Sequence, residues 1–151
     1  LPVAPHLREL GLLRSSIHSL ADIGRFPALE KLTITHAKML ESVSTLSACP
    51  ALKVLEVDGG KRIHDMHTTL SGCTHLEQLV LMKGPDLENV RFVEKMPQLK
   101  WLNLMDTQIS DGNLLPLIEH PTLEHAVFTA KKHFSHTEAE VRSILKKRKD
   151  A

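Results

Sequence analysis

Leucines and apolar stand-ins recur along the chain in one spacing. Leu99, Leu102 and Leu104 form a triplet, L-x-x-L-x-L, with Ile109 five residues further on. The triplet recurs at Leu7, Leu10 and Leu12; at Leu29, Leu32 and Ile34; at Leu52, Leu55 and Val57; at Leu76, Leu79 and Leu81; and at Leu123, Ala126 and Phe128. Successive first leucines stand 22 to 24 residues apart. Apolar residues two apart predict a strand with one buried face. Self-similarity at a period of about 20–29 residues means a solenoid, each turn stacked on the next.

The approach to each strand repeats as well. Ala4-Pro5, Phe26-Pro27, Cys49-Pro50, Met96-Pro97 and His120-Pro121 precede the triplets, and only Thr74 breaks the series. Proline fixes φ and has no N–H for a sheet ladder, so it suits the corner before a strand. Between triplets lies a second apolar set: Ile17, Leu20 and Ile23; Met39, Leu40, Val43 and Leu46; Ile63, Met66 and Leu70; Leu87, Val90 and Val93; Ile109, Leu114 and Leu117. Spacings of three and four predict short helices or 3₁₀ turns on the return path. Asp58-Gly59-Gly60 and Lys83-Gly84-Pro85-Asp86 mark loops.

The two ends differ. Thr137-Glu138-Ala139-Glu140 fits a capping box, Val141, Ile144 and Leu145 follow as one apolar face, and Lys146 to Lys149 stand where cations favour a helix end. This predicts a C-terminal helix over about 137–149 that caps the last turn. The N-terminal end shows no such device. Ala4-Pro5-His6 closes a repeat whose strand is absent, so the expectation is a longer parent array, or an edge covered by a second copy of the chain.

These triplets resemble the leucine-rich repeat family over about residues 4–134. The resemblance implies an α/β solenoid with a concave parallel β-sheet, short helices or 3₁₀ turns on the convex side and a C-terminal capping helix. It implies a single domain over 1–151, with repeats over about 4–136. The chain departs from the family at the asparagine or cysteine position after each strand, where Ser15, Ala37, Gly60, Gly84, Thr107 and Lys131 stand or lie close by. Backbone bonds or water then have to replace the side-chain ladder of that corner. The segment from Val127 to His136, with its Lys131-Lys132-His133-Phe134-Ser135-His136 turn, is similar to the close of a group of short bacterial leucine-rich repeat proteins. Some of those are immunity partners of toxins.

Composition narrows the function. The formal net charge is +1 with histidines neutral, which gives no bias toward nucleic acid or anionic membrane. No run of about 18 apolar residues is present to span a bilayer. Two cysteines do not make a disulfide scaffold. Cys49 and Cys73 hold equivalent positions to Phe26 and Met96, so buried, reduced thiols are expected. The pairs His64/His67 and His133/His136 share a spacing of three, but zinc needs further ligands and no cysteine falls in phase with them. None of the phosphate-binding, dinucleotide, nucleophile-elbow or zinc-protease motifs occurs. Neither a cofactor nor a metal is expected.

The residues between the leucines point outward by the period of two. Their columns read Glu9, Lys31, Val54, Gln78, Trp101, His125; then Gly11, Thr33, Glu56, Val80, Asn103, Val127; then Leu13, Thr35, Asp58, Met82, Met105, Thr129. The last three repeats therefore show Val80, Met82, Trp101, Met105 and Val127 together, with Gln78, Asn103 and His125 as polar neighbours. That face is the candidate site for a protein partner, with Trp101 as anchor and the methionines adapting around it. The expected function is a non-enzymatic, cytoplasmic protein-binding domain. Its sharpest form is a bacterial immunity protein masking a toxin. An adaptor or targeting domain of a larger repeat protein is the second reading, and a metal- or thiol-dependent enzyme is the reading from another class.

Overall fold

The computed structural model describes residues 4–151. Six strands follow one another: β1 (Glu9–Leu13), β2 (Lys31–Thr35), β3 (Val54–Asp58), β4 (Gln78–Met82), β5 (Trp101–Leu104) and β6 (His125–Phe128). They form one parallel sheet in sequence order. The register matches equivalent repeat positions: Leu10, Leu32, Leu55, Leu79, Leu102 and Ala126 align across the sheet. The apolar triplets thus face one side at every turn, and from Leu29 onward they are buried.

The return path is built as the spacing of three and four predicts. It holds 3₁₀ turns at Ala21–Arg25, Ser44–Ala48 and Arg91–Lys95, and short helices α1 (Met66–Leu70) and α2 (Leu115–Ile118). Pieces this short gain little from their own hydrogen bonds, so packing holds them in place. Most of the second apolar set is buried against the strand leucines, while Met39 remains exposed and Ile17 half-buried. The pre-strand column Phe26, Cys49, Cys73, Met96 and His120 is buried throughout.

Each of the first five turns leaves its strand through one residue in the left-handed region: Arg14, His36, Gly59, Lys83 and Asp106. Only one of the five is glycine, so the other four adopt a conformation that L-residues avoid. The corner is closed mostly by backbone. The N–H of Arg14 bonds to Thr35 O (3.0 Å), Ala37 to Asp58 O (3.1 Å), Gly59 to Met82 O (2.9 Å) and Lys83 to Met105 O (3.0 Å). Thr107 adds the single buried side-chain link of this kind among the described residues. Its hydroxyl donates to Leu81 O (2.7 Å) and accepts from Gly84 N–H (3.0 Å).

The C-terminal helix, α3 (Glu138–Lys149), starts at Thr137 with the expected reciprocal capping box. Val141 and Leu145 join the core beside β6, whereas Ile144 keeps 37% of its surface in solvent. The basic end of α3 is not all solvated. Arg148 turns back and donates to the carbonyls of Ile118 (3.0 Å) and Leu123, tying the helix to the last turn. At the other end Leu7, Leu10 and Leu12 are only half-buried and Leu13 is 70% exposed. Among the described residues no strand lies outside β1 to cover them.

Candidate protein-binding face

Strand pairing brings the expected outward residues into rows. Gln78, Trp101 and His125 align across β4, β5 and β6, and Val80, Asn103 and Val127 form the next row. Met82 closes β4 opposite Asp58, and Met105 follows the last residue of β5. Gln78 and His125 are exposed, and Val80, Met82, Asn103 and Val127 are half-buried. Trp101 and Met105 keep 37% and 39% of their surface in solvent, which is high for side chains of this size.

Neighbours orient these side chains. The Trp101 ring lies 4.9 Å from the His125 ring, tilted by 46°, a contact that orients the indole. Asn103 Oδ1 accepts the N–H of Met105 at 3.0 Å, which leaves its amide N–H groups for a partner. Thr129 Oγ1 accepts from Asp106 N–H (2.9 Å) and lies 3.8 Å from the Met105 sulfur. Trp101 and Met105 stand four residues apart, about 13 Å along an extended chain. The apolar residues thus make a band, with Trp101 at one end, the two methionines at the other, and Val80, Asn103 and Val127 between.

The first three strands present a different surface. Lys31 Nζ lies 4.0 Å from Glu56, and Thr33 Oγ1 donates to Glu56 (3.4 Å). Exposed pairs of this kind are worth about 0–1 kcal/mol and leave the surface well hydrated. Val54 and the exposed Leu13 are the apolar outward residues of that half, and the continuous band lies on the last three strands.

A cleft of about 400 Å³ opens beside Trp101, between β6 and α3. His125 and Val127 share its sheet wall, and Arg142, Leu145, Lys146 and Lys149 form its helix wall. The outward columns do not show it, because strand register says nothing about where α3 docks. The available signal is the helix's own period: Arg142, Lys146 and Lys149 flank the buried stripe of Val141 and Leu145.

The other candidate chemistry disperses. His133 Nε2 bonds to Ile109 O (3.1 Å), His136 Nδ1 to Ser135 Oγ (2.8 Å), and His67 packs edge-on against Phe92. Among the described residues no three His, Cys, Asp or Glu side chains converge in a way that would hold a metal ion. Cys49 and Cys73 are unbridged and buried. Burial pushes both thiols up, Cys73 to about 12 with Cys49 alongside adding to the effect. A thiol so disposed is a poor nucleophile near neutral pH.

A stacked parallel sheet with leucine triplets inside defines a repeat scaffold. Comparison with known proteins agrees. The fold matches an internalin, InlF of Listeria monocytogenes strain 4b F2365, with a TM-score of 0.71 over 92% of this chain and 38% of that one. Identity is 20%, so the likeness establishes the leucine-rich repeat fold and no more. A Roc-COR-CHAT protease from an unknown prokaryotic organism is 33% identical over 105 residues, 70% of this chain. The chain spans about a tenth of that curated relative's length. No family model matches the chain. Among the described residues no helix is long and apolar enough to cross a membrane.

Proposed function

We propose that the chain is a cytoplasmic, non-enzymatic protein-recognition domain whose outward sheet face, over β4 to β6, binds a protein partner. The observation that carries this is Trp101: a large aromatic, outside a core that Leu99, Leu102 and Leu104 already fill, oriented by His125 and bordered by an apolar band. Tryptophan is one of the residue types enriched among binding hot spots. The buried, unbridged thiols suit a reducing compartment.

Two finer roles fit the same face. In one it masks a toxin, the role that the closing segment's resemblance implies. In the other it brings a client to the rest of a larger chain. The similarity to a short part of a much longer Roc-COR-CHAT protease favours the second. The test begins with a partner captured from the native organism and identified by mass spectrometry. Against that partner, Trp101→Ala should weaken binding roughly thirtyfold, about 2 kcal/mol, with the thermal midpoint moved by only a few degrees. Lys31→Ala, on the polar half of the face, should change affinity little. A collapsed fold in Trp101→Ala, with affinity per folded molecule unchanged, would assign the indole to the core and sink the reading.

A further inference from the structure

The cleft between α3 and the sheet holds chemistry that the sheet face lacks. On its helix wall Arg142, Lys146 and Lys149 stand four and three residues apart, one face of a helix, with Leu145 among them. Lys146 makes no ion pair among the described residues. Arg142 and Lys149 are engaged only by Glu138 (2.6 Å) and Glu124 (3.6 Å), and both cations are more than half exposed. Such pairs exchange readily for another carboxylate. The opposite wall is the Trp101 ring with Val127.

The sheet edge beneath the cleft is closed. His125 N–H bonds to Lys100 O, just before β5 (3.0 Å), so by the alternation of a parallel ladder Ala126 turns its amide and carbonyl away from β5, and the residue is buried there, 7% exposed. Ala126 lines the cleft.

We propose that this cleft binds an acidic peptide segment of the partner, with carboxylates on Arg142, Lys146 and Lys149 and an apolar side chain between Trp101 and Leu145. The three cations of the lining outnumber its two carboxylates, Glu124 and Asp150, and select acidic residues, and the apolar floor selects the side chain between them. The proposal rests on the protein-recognition reading and adds the partner's chemistry to it.

Trp101 is the chain's single tryptophan, so its emission reports occupancy directly. The probe is a short, end-blocked peptide alternating glutamate and leucine, titrated against the same peptide with lysine for glutamate. The acidic peptide should shift Trp101 emission saturably, bind at least about tenfold tighter than the basic one, and weaken as salt rises. Lys146→Glu, at an exposed position, should erase or reverse that preference. Equal binding of the two peptides, no emission change in folded protein, or an indifferent Lys146→Glu overturns the proposal. If the peptide fails while the captured partner still depends on Trp101, the cleft is wrong and the sheet face stands. If the peptide binds and the partner ignores Trp101, the sheet-face reading is the one that falls.

Discussion

His120 occupies a column otherwise filled by Phe26, Cys49, Cys73 and Met96, and it is buried like them. A polar ring survives there because both nitrogens are used. Nε2 lies 2.9 Å from Met96 O, and Nδ1 accepts the N–H groups of Leu123 (3.1 Å) and Thr122 (3.3 Å). That pattern requires the neutral ring with its proton on Nε2, since a proton on Nδ1 would face two donors. Burial lowers the His120 pKa. Backbone carbonyls of Met96 and Val93 pull it up, and the Arg148 guanidinium pushes it down again. The sign for stability follows. A depressed folded pKa means that the unfolded chain binds the proton more readily, so stability is present above about 6.5 and is lost as pH falls through the folded value. Urea unfolding at pH 7.5 and pH 5 should give a lower midpoint in acid. His120→Met should flatten that difference and cost roughly 1–3 kcal/mol at neutral pH, through the unpaired Met96 and Leu123 groups. An unchanged acid response in the variant would place the titrating group elsewhere.

Among elements, the strands were the most legible in the sequence, because a period of two in a period of 22 to 24 leaves one register that buries every triplet. The α3 helix was legible from Thr137 and Glu140 for the same kind of reason: a local motif with a local bond. Thr137→Ala removes the acceptor for Glu140 N–H (3.1 Å) and the partner of the Glu140 carboxylate. The expected cost is about 1 kcal/mol, read as a lowered thermal midpoint with frayed helix signal in circular dichroism. No loss of stability would mean that packing of Val141 and Leu145 alone fixes the start of α3. What the sequence could not show is how α3 sits on β6. The reach of Arg148 to Ile118 and Leu123 spans 30 and 25 residues, and no local pattern encodes it. The cleft was hidden for that reason, while Trp101 and its row were plain. Ile144 was misplaced because a spacing of three and four cannot tell the centre of a buried stripe from its margin.

At the scale of the whole molecule, α3 seals one end of the solenoid, and among the described residues nothing covers the other. Leu7, Leu10 and Leu12 are half-buried and the outer edge of β1 is unpaired among the described residues. Such an edge recruits another strand. This chain should therefore show mass rising with concentration in light scattering, and Leu13→Lys should return it to monomer. Monomer at every concentration would show that the β1 edge is adequately hydrated as it stands. The recurring left-handed corner has a consequence of another kind, for inheritance and engineering. Since His36 and Gly59 share one backbone conformation, excising residues 36–58 would join Thr35 to Gly59 at a junction the backbone already knows. The shortened protein should still melt cooperatively, whereas a cut of half that length should not fold. The unit of permitted change is then the whole turn, so the sheet face can be extended or trimmed in such steps while the band around Trp101 keeps its geometry.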